Sequence, residues 1–451
     1  MMTGNALERR LGLFPATNIV IANMIGAGIF TTSGLLMSGL HDPVIMVLLW
    51  AAGGFIALCG AFSYGELGAA MPGAGGEYLF LSRLYHPLFG FLSGWVSFVV
   101  GFSAPIAASA LGFSEYFSRA LPGFTLWMQD SAMIQPEMTR KILSVSVILV
   151  FTLIHYTGIR YGARIQNVLT ILKILLIVIL LTAGFASGQG EFFNFSSGGT
   201  IPQGLAGWKT MGLSLMWIMF AYSGWNASTY LGAEIRNPET TLPRSLIFGT
   251  GIVTLLYIGI NILYVYAISP AEMKGVISVG GLAMGNLFGK PAEVLFSVLI
   301  AFALFSSLSA FIIIGPRVYY SMAKDGLFFP FAARIHKKFH VPSNSILLQG
   351  LIAVILAFSG TFEQVLTYMG FALGIFPLMA VAGVWKLRRN NSGAIRLKGF
   401  PFTQVVYLTA GSLILMLSFM ERPVESSVAI LTVLAGIPAY YLFRKNSGAA
   451  G

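Results

Sequence analysis

The chain reads as an all-α integral membrane protein of twelve transmembrane helices. They are arranged as two inverted repeats of five, with helices one and six discontinuous and two helices appended. Three observations carry that expectation. Hydrophobic residues fill 56% of 451 positions and charged residues only 10%, against about 25% charged in a soluble domain. Twelve apolar stretches follow one another, most near the roughly 20 residues that cross about 30 Å of hydrocarbon. Two of them, the first and the sixth, are interrupted at corresponding places in the two halves.

The first span, 13–38, follows Glu8, Arg9 and Arg10, and no small-residue cleavage site comes after it. A retained helix is therefore expected rather than a removed signal peptide. Its break is Ile25-Gly26-Ala27-Gly28-Ile29-Phe30. Spans two to four are 44–68, which holds the sole cysteine Cys59, then 88–118 and 141–158. The fifth, 165–186, carries Lys173 well inside it. The sixth, 207–233, is interrupted by Phe220-Ala221-Tyr222-Ser223-Gly224-Trp225-Asn226. Spans seven to ten are 245–268, 292–321, the short 345–359, and 364–385; 403–420 and 427–443 follow.

One membrane domain over 1–451 is expected, with 13–186 as the first repeat, 207–385 as the second, and 403–443 appended. An odd number of spans per repeat makes the second insert upside down, and such repeats supply the two states of alternating access. The repeat rests on the matching breaks and the span count, not on residue identity. The longer connections are 119–140 and 187–206 outside, and 322–344 with Lys337, Lys338 and His340 inside. Their Pro and Gly read as turns.

The net charge of +11 is a topology signal. Nineteen Lys and Arg fall on the face holding both termini and seven on the other, with Lys173 left inside a span. The positive-inside rule puts both termini in the cytoplasm, so a nucleic-acid role is excluded and a cell (plasma or inner) membrane location is expected. Cys59 alone cannot form an intramolecular disulfide. His41, His86, His155, His336 and His340 form no ligand-spaced pair, so no metal and no cofactor are expected.

The breaks carry the chemistry. Glycine at 26 and 28 lets the helix unwind and a ligand approach the backbone. The half-helix that begins at Ile29 then presents unpaired N–H groups and partial positive charge to a carboxylate. In span six the carbonyls of Phe220, Ala221 and Tyr222 are placed to accept from an ammonium. Phe220 can cover the ligand as a gate, while Trp225 and Asn226 shape a side-chain pocket. Small residues that merely let helices pack closely are the plainer account of the first motif alone, and ordinary aromatic packing is that of the second; the pairing of the two breaks favours a substrate site at Ile25, Gly26, Ala27, Gly28, Ile29, Phe220, Ala221, Tyr222, Ser223, Trp225 and Asn226. Lys173 is an ionisable group at membrane depth, where such groups are costly and mark function. Glu66 and Glu234 can pair with Arg83, Arg236 or Arg317 as an inner gate or as plain interfacial salt bridges. Glu115 is unassigned. Tyr319 and Tyr320 read as interfacial anchors.

At these residues the sequence resembles a known family. Phe220 to Asn226, followed by Glu234-Ile-Arg-Asn-Pro-Glu239 and Leu242-Pro-Arg244, is similar to the sixth-helix signature of amino acid/polyamine/organocation (APC) superfamily permeases. The L-type and cationic amino acid transporter branch is the nearest. The resemblance continues in Ile25 to Phe30, Tyr64-Gly-Glu-Leu67, Gly75-Gly76-Glu-Tyr78, Gly94-Trp95, Gly315-Pro-Arg317 and Met322 to Leu327, in order from about residue 10 to 385. It implies the LeuT-type fold and α-amino acid transport. In sodium-coupled relatives a sodium ion bridges helices one and eight, and in several sodium-independent members a fifth-helix lysine stands there instead. Lys173 is similar to that lysine, which implies partners in the backbone near Gly26 and a hydroxyl of Ser306, Ser307 or Ser309.

No acidic or basic group is assigned to the pocket, which disfavours cationic and acidic substrates and leaves neutral L-amino acids. Sodium-independent exchange or proton-linked uptake is expected, with a cationic amino acid permease or a non-transporting amino acid sensor as alternatives. An acidic side chain found in the pocket would favour the cationic reading. Eukaryotic L-type carriers join a heavy chain through an extracellular cysteine that this chain lacks, so no disulfide-linked partner is expected. Nothing suggests an enzyme, and no channel filter or ring of charge is present.

Overall fold

The computed structural model describes residue 9 and residues 11–73, 75–132, 135–156, 162–336, 341–390 and 395–448. Glu8, Arg10, Lys337, Lys338, His340 and the side chain of Arg317 lie outside the described set.

A backbone in lipid has no water to satisfy its N–H and C=O groups, so long apolar stretches close those bonds internally as helices. Among the described residues the chain runs through α1 (Leu13–Met24), α2 (Ala27–Leu40), α3 (Pro43–Ala70), α4 (Glu77–Leu84), α5 (Pro87–Val96) and α6 (Ser103–Ala120). It continues through α7 (Pro122–Ala132), α8 (Pro136–Tyr156), α9 (Gly162–Ala186), α10 (Gly204–Ala221), α11 (Pro238–Ala267) and α12 (Pro270–Met273). The remainder is α13 (Val279–Phe288), α14 (Lys290–Lys324), α15 (Ser343–Ser359), α16 (Phe362–Asn390), α17 (Phe402–Glu421) and α18 (Pro423–Gly448). Prolines open α3, α5 and α11, where the missing N–H costs nothing. Asp42 caps α3 by accepting from Val44 N at 2.9 Å and Ile45 N at 3.0 Å. Among the described residues β pairing is limited to one bridge between Leu11 and Ile235.

Nine helical segments among the described residues are long and apolar enough to cross a membrane, with α1–α2 and α5–α6 each counted as one. Three shorter apolar helices, Thr170–Ala186, Val279–Phe288 and Ser343–Ser359, accompany them. Leu255 on α11 and Leu431 on α18 are 73% and 63% exposed, as suits surfaces that lipid covers.

Three expectations need correction. The connection 119–140 is not plain turn, because α7 occupies its middle. The stretch between spans seven and eight holds the helix α13, packed against α14, α11 and α2. The sixth span does not resume as a second α-helical half: two short 3₁₀ turns, Ala227–Tyr230 and Gly232–Glu234, follow the break. Thr229 Oγ1 donates back to Asn226 O at 2.7 Å and Ser228 Oγ meets Ser245 Oγ at 3.0 Å. Such side-chain bonds compete with helical ones.

Helices in lipid gain little from apolar burial and associate through close packing at small residues. Gly53 of α3 lies against Ile218 of α10, and Gly60 against Trp225. With Gly54 against Thr254 of α11, these contacts seat α3 beside both α10 and α11, and α10 in turn packs on α2. The two interrupted helices are thereby brought side by side.

Candidate functional site

The first break is short: α1 ends at Met24, α2 begins at Ala27, and no side chain caps α2 at Gly26. The second spans Tyr222 to Asn226 after α10 ends. Gly224 has φ +96°, a conformation L side chains rarely adopt, and a Cβ there would lie 2.8 Å from the Asn23 carbonyl carbon. A Cβ on Gly28 would lie 2.5 Å from Ala221 Cα. The breaks therefore touch at two points, and only glycine permits either contact. Tyr257 of α11 ties them further, its hydroxyl reaching Met24 O at 2.6 Å and Ala221 O at 3.1 Å.

Lys173 of α9 is 1% exposed and does not snorkel. Its Nζ donates to Ile25 O at 2.9 Å and to Ser307 Oγ at 2.8 Å. Ser307 Oγ also lies 3.3 Å from Ile25 O. An ammonium group thus joins the first break to α14. Of the other serines singled out, Ser309 meets His155 at 3.0 Å and Ser306 is fully buried on the same helix.

A cavity of about 130 Å³ opens beside the breaks. Asn23, Phe220, Ser223 and Gly224 to Ala227 line one side, and Phe311 and Ile314 of α14 another. Gly370, Leu373, Gly374 and Pro377 of α16 line a third, with Tyr230 and Tyr407. A π-helical turn, Ser97–Gly101, interrupts the third span and gives Ser97 and Gly101 to the wall. Such bulges recur at functional sites.

Of the residues expected to hold substrate, Phe220, Ser223, Trp225 and Asn226 line this cavity. Ile25, Gly26, Ala27, Gly28, Ile29, Ala221 and Tyr222 do not line it. Two of the three carbonyls read as ammonium acceptors already have partners: Phe220 O accepts from Ser223 N at 2.8 Å, and Ala221 O from Tyr257. Tyr222 is fully buried, its hydroxyl donating to Trp50 O at 3.0 Å.

The cavity does hold an acidic side chain, which corrects the expectation that none was there. Glu77, from the Gly75-Gly76-Glu-Tyr78 motif, lines it and is 8% exposed. Tyr64 and Asn226 each donate to its Oε1 at 2.8 Å, and Ser93 Oγ lies 3.5 Å from Oε2. Its place on a short helix between two spans hid it from a reading that looked within spans. Tyr257 and the π turn were equally missed, since neither leaves a compositional mark.

The gate candidates separate. Phe220 borders the cavity. Among the described side chains Glu66 pairs with neither Arg83 nor Arg236, and the pairing with Arg317 lies outside the described set; Arg388 of α16 takes both Glu66 oxygens, each at 2.6 Å. Leu397 N also donates to Glu66 at 3.2 Å, and the guanidinium stacks 4.0 Å from the Phe400 ring. Arg388 is one of the nineteen Lys and Arg that the sequence assigns to the face holding both termini. Glu234 offers its backbone carbonyl to Leu11 N, and Arg236 Nε donates to Arg9 O at 3.2 Å. Tyr319 is no interfacial anchor: it is fully buried, with its hydroxyl donating to Ser97 O at 3.2 Å. Glu115 pairs with Arg140 at 3.3 Å. Among the described residues no group of three His, Cys, Asp or Glu could hold a metal.

Residues 11–438 match the family described as amino acid permease. The chain is similar over its whole length to the serine/threonine exchanger SteT of Bacillus subtilis, 28% identical over 98% of both chains. It is 26% identical to the mouse b(0,+)-type amino acid transporter 1, covering 97% of this chain and 88% of that one. The human large neutral amino acids transporter small subunit 2 is 26% identical over 97% of this chain and 81% of its own length.

Proposed function

We propose, from the premise that the chain belongs to the amino acid permease family, that it is a secondary transporter of neutral L-amino acids working by sodium-independent exchange. It is a multi-pass membrane protein and not an enzyme. The observation that carries the proposal is Lys173 bonded to Ile25 O and Ser307 Oγ. A fixed ammonium between the first break and α14 leaves no need for a metal cation to bridge them.

On this reading the chain has the twelve-span, five-plus-five arrangement with both termini cytoplasmic. Substrate sits in the cavity beside the breaks, its carboxylate on the side of the first break, where Asn23 lines the wall, and its side chain toward Trp225 and Asn226. The names of SteT and of the large neutral amino acids transporter subunit support neutral substrates and exchange. Cys59 is buried in α3, which fits a transporter that works without a disulfide-linked heavy chain.

Glu77 favours one second reading, a permease that also takes cationic amino acids, because a buried carboxylate in the cavity suits a cationic side chain. The neutral reading stays ahead because Tyr64 and Asn226 already donate to Oε1. Competition in proteoliposomes tests the choice. Unlabelled leucine, serine and alanine are expected to suppress labelled neutral uptake while arginine and lysine do not. Suppression by arginine, with arginine itself transported, would replace the neutral reading with the cationic one.

A further inference from the structure

The cavity contains one carboxylate whose chemistry the substrate reading does not use. Glu77 is held from three directions: Tyr64 on α3, Ser93 on α5 and Asn226 at the end of the second break. All three can donate, so together they suit the carboxylate anion. None is cationic. The titratable groups facing Glu77 are Tyr64, Tyr230 and Tyr407, and among the described residues no Lys, Arg or His pairs with it. A buried anion without a cation is costly, and hydrogen bonds alone hold it. The donor on Asn226 belongs to the segment that must move if the breaks rearrange.

We propose that Glu77 is a proton-binding carboxylate coupled to the docking of Asn226, so that release of the segment after the second break takes up one proton. This rests on the transport reading above. While Asn226 is docked, its amide N–H supplies part of the stabilisation of the anion. When the segment moves away, Oε1 loses that donor and a proton from cavity water bonds to the carboxylate in its place. Redocking returns the proton to water. Acid then favours the released segment and alkali the docked one.

Burial already pushes this carboxyl, which lies on α4 outside the long apolar helices, up to about 7. The docked state therefore titrates near neutrality, and loss of the Asn226 donor moves the midpoint higher still.

The test is homoexchange of labelled L-leucine and L-serine in proteoliposomes, with equal pH on both sides, from mildly acidic to mildly alkaline. Native exchange is expected to slow as pH rises, with a slope approaching about tenfold per pH unit, the limit for one proton. Glu77→Gln, which mimics the protonated carboxyl, is expected to exchange at a rate near the native acid-side rate and to flatten the profile. Asn226→Ala is expected to move the midpoint to higher pH whatever its absolute rate. A native profile that is already flat, a pH dependence that survives Glu77→Gln, or an unshifted midpoint in Asn226→Ala would overturn the proposal. If Glu77→Gln fails to fold, the Asn226→Ala midpoint decides. Infrared difference spectra between acid and alkaline purified protein supply a readout independent of transport. A protonated-carboxyl band present in the native protein and absent from Glu77→Gln supports the site even if none of these amino acids is carried, and its absence from the native protein counts against it.

Discussion

Lys173 Nζ stands 2.9 Å from Ile25 O, across 148 positions of sequence, at the point where the first helix is interrupted. That carbonyl has no intrahelical partner of its own, because the chain leaves the helix after Met24. The ammonium satisfies it and, through Ser307 Oγ at 2.8 Å, fastens it to α14. One side chain thus closes a gap that lipid cannot fill.

Replacing Lys173 by methionine keeps the apolar stem and removes the donor. Ile25 O then loses its charged partner, a loss of about 1–3 kcal/mol by the usual figure for a buried unsatisfied group. Exchange in proteoliposomes is expected to fall by about tenfold or more on the same scale, and the melting temperature to drop. Native-like exchange in the variant would show the contact to be dispensable.

Tyr257 makes a milder prediction. Its hydroxyl bridges Met24 O and Ala221 O, so Tyr257→Phe removes one group that serves both breaks while leaving the ring packed against Trp50 and Tyr222. A loss of about 1 kcal/mol is expected, measurable as a lowered thermal midpoint, together with slower exchange. An unchanged midpoint and rate would remove Tyr257 from the account.

Gly224 is expected to tolerate nothing larger. At φ +96° with Asn23 2.8 Å from an added Cβ, Gly224→Ala combines backbone strain of about 1–3 kcal/mol with a clash against α1. Poor expression or a collapsed transport rate is the expected result, whereas Gly251→Ala, where nothing lies within 4 Å, should behave as native.

The Glu66–Arg388 pair lends itself to a double-mutant cycle. Glu66 has 1% of its side chain exposed and Arg388 16%, so Arg388→Ala strands a buried carboxylate at a cost of about 3–5 kcal/mol. Glu66→Gln with Arg388→Ala removes the stranded charge. The double variant is expected to be more stable than Arg388→Ala alone, whereas Glu66→Gln in the native background is expected to destabilise; the same change in melting temperature on introducing Glu66→Gln with and without Arg388 would mean that the pair contributes nothing beyond its separate residues.

Much of the architecture was legible because lipid imposes it. Span lengths, the uneven Lys and Arg distribution and the two glycine-bearing breaks all follow from the absence of water in the bilayer. Lys173 stood out for the same reason, as an ionisable group with no polar neighbour in sequence. What stayed hidden depends on contacts between remote segments. The pairing of Glu66 with Arg388 joins positions 322 apart, and no local pattern separates it from pairing with Arg83. Glu77 enters the cavity because the turn before α4 docks on the segment after the second break, where Gly75 N donates to Tyr230 O at 3.3 Å. The 3₁₀ course after Asn226 is set by local hydroxyl bonds that an apolar count does not weigh.

The central claim is amino acid exchange without sodium, and it is tested most directly by following labelled L-leucine and L-serine into proteoliposomes in sodium-free buffer, with and without the same unlabelled amino acid inside. The account predicts strong stimulation by internal substrate and no further gain on adding sodium. Uptake that appears only when sodium is supplied would contradict it, and would make Lys173 a structural tie in place of a substitute for the ion.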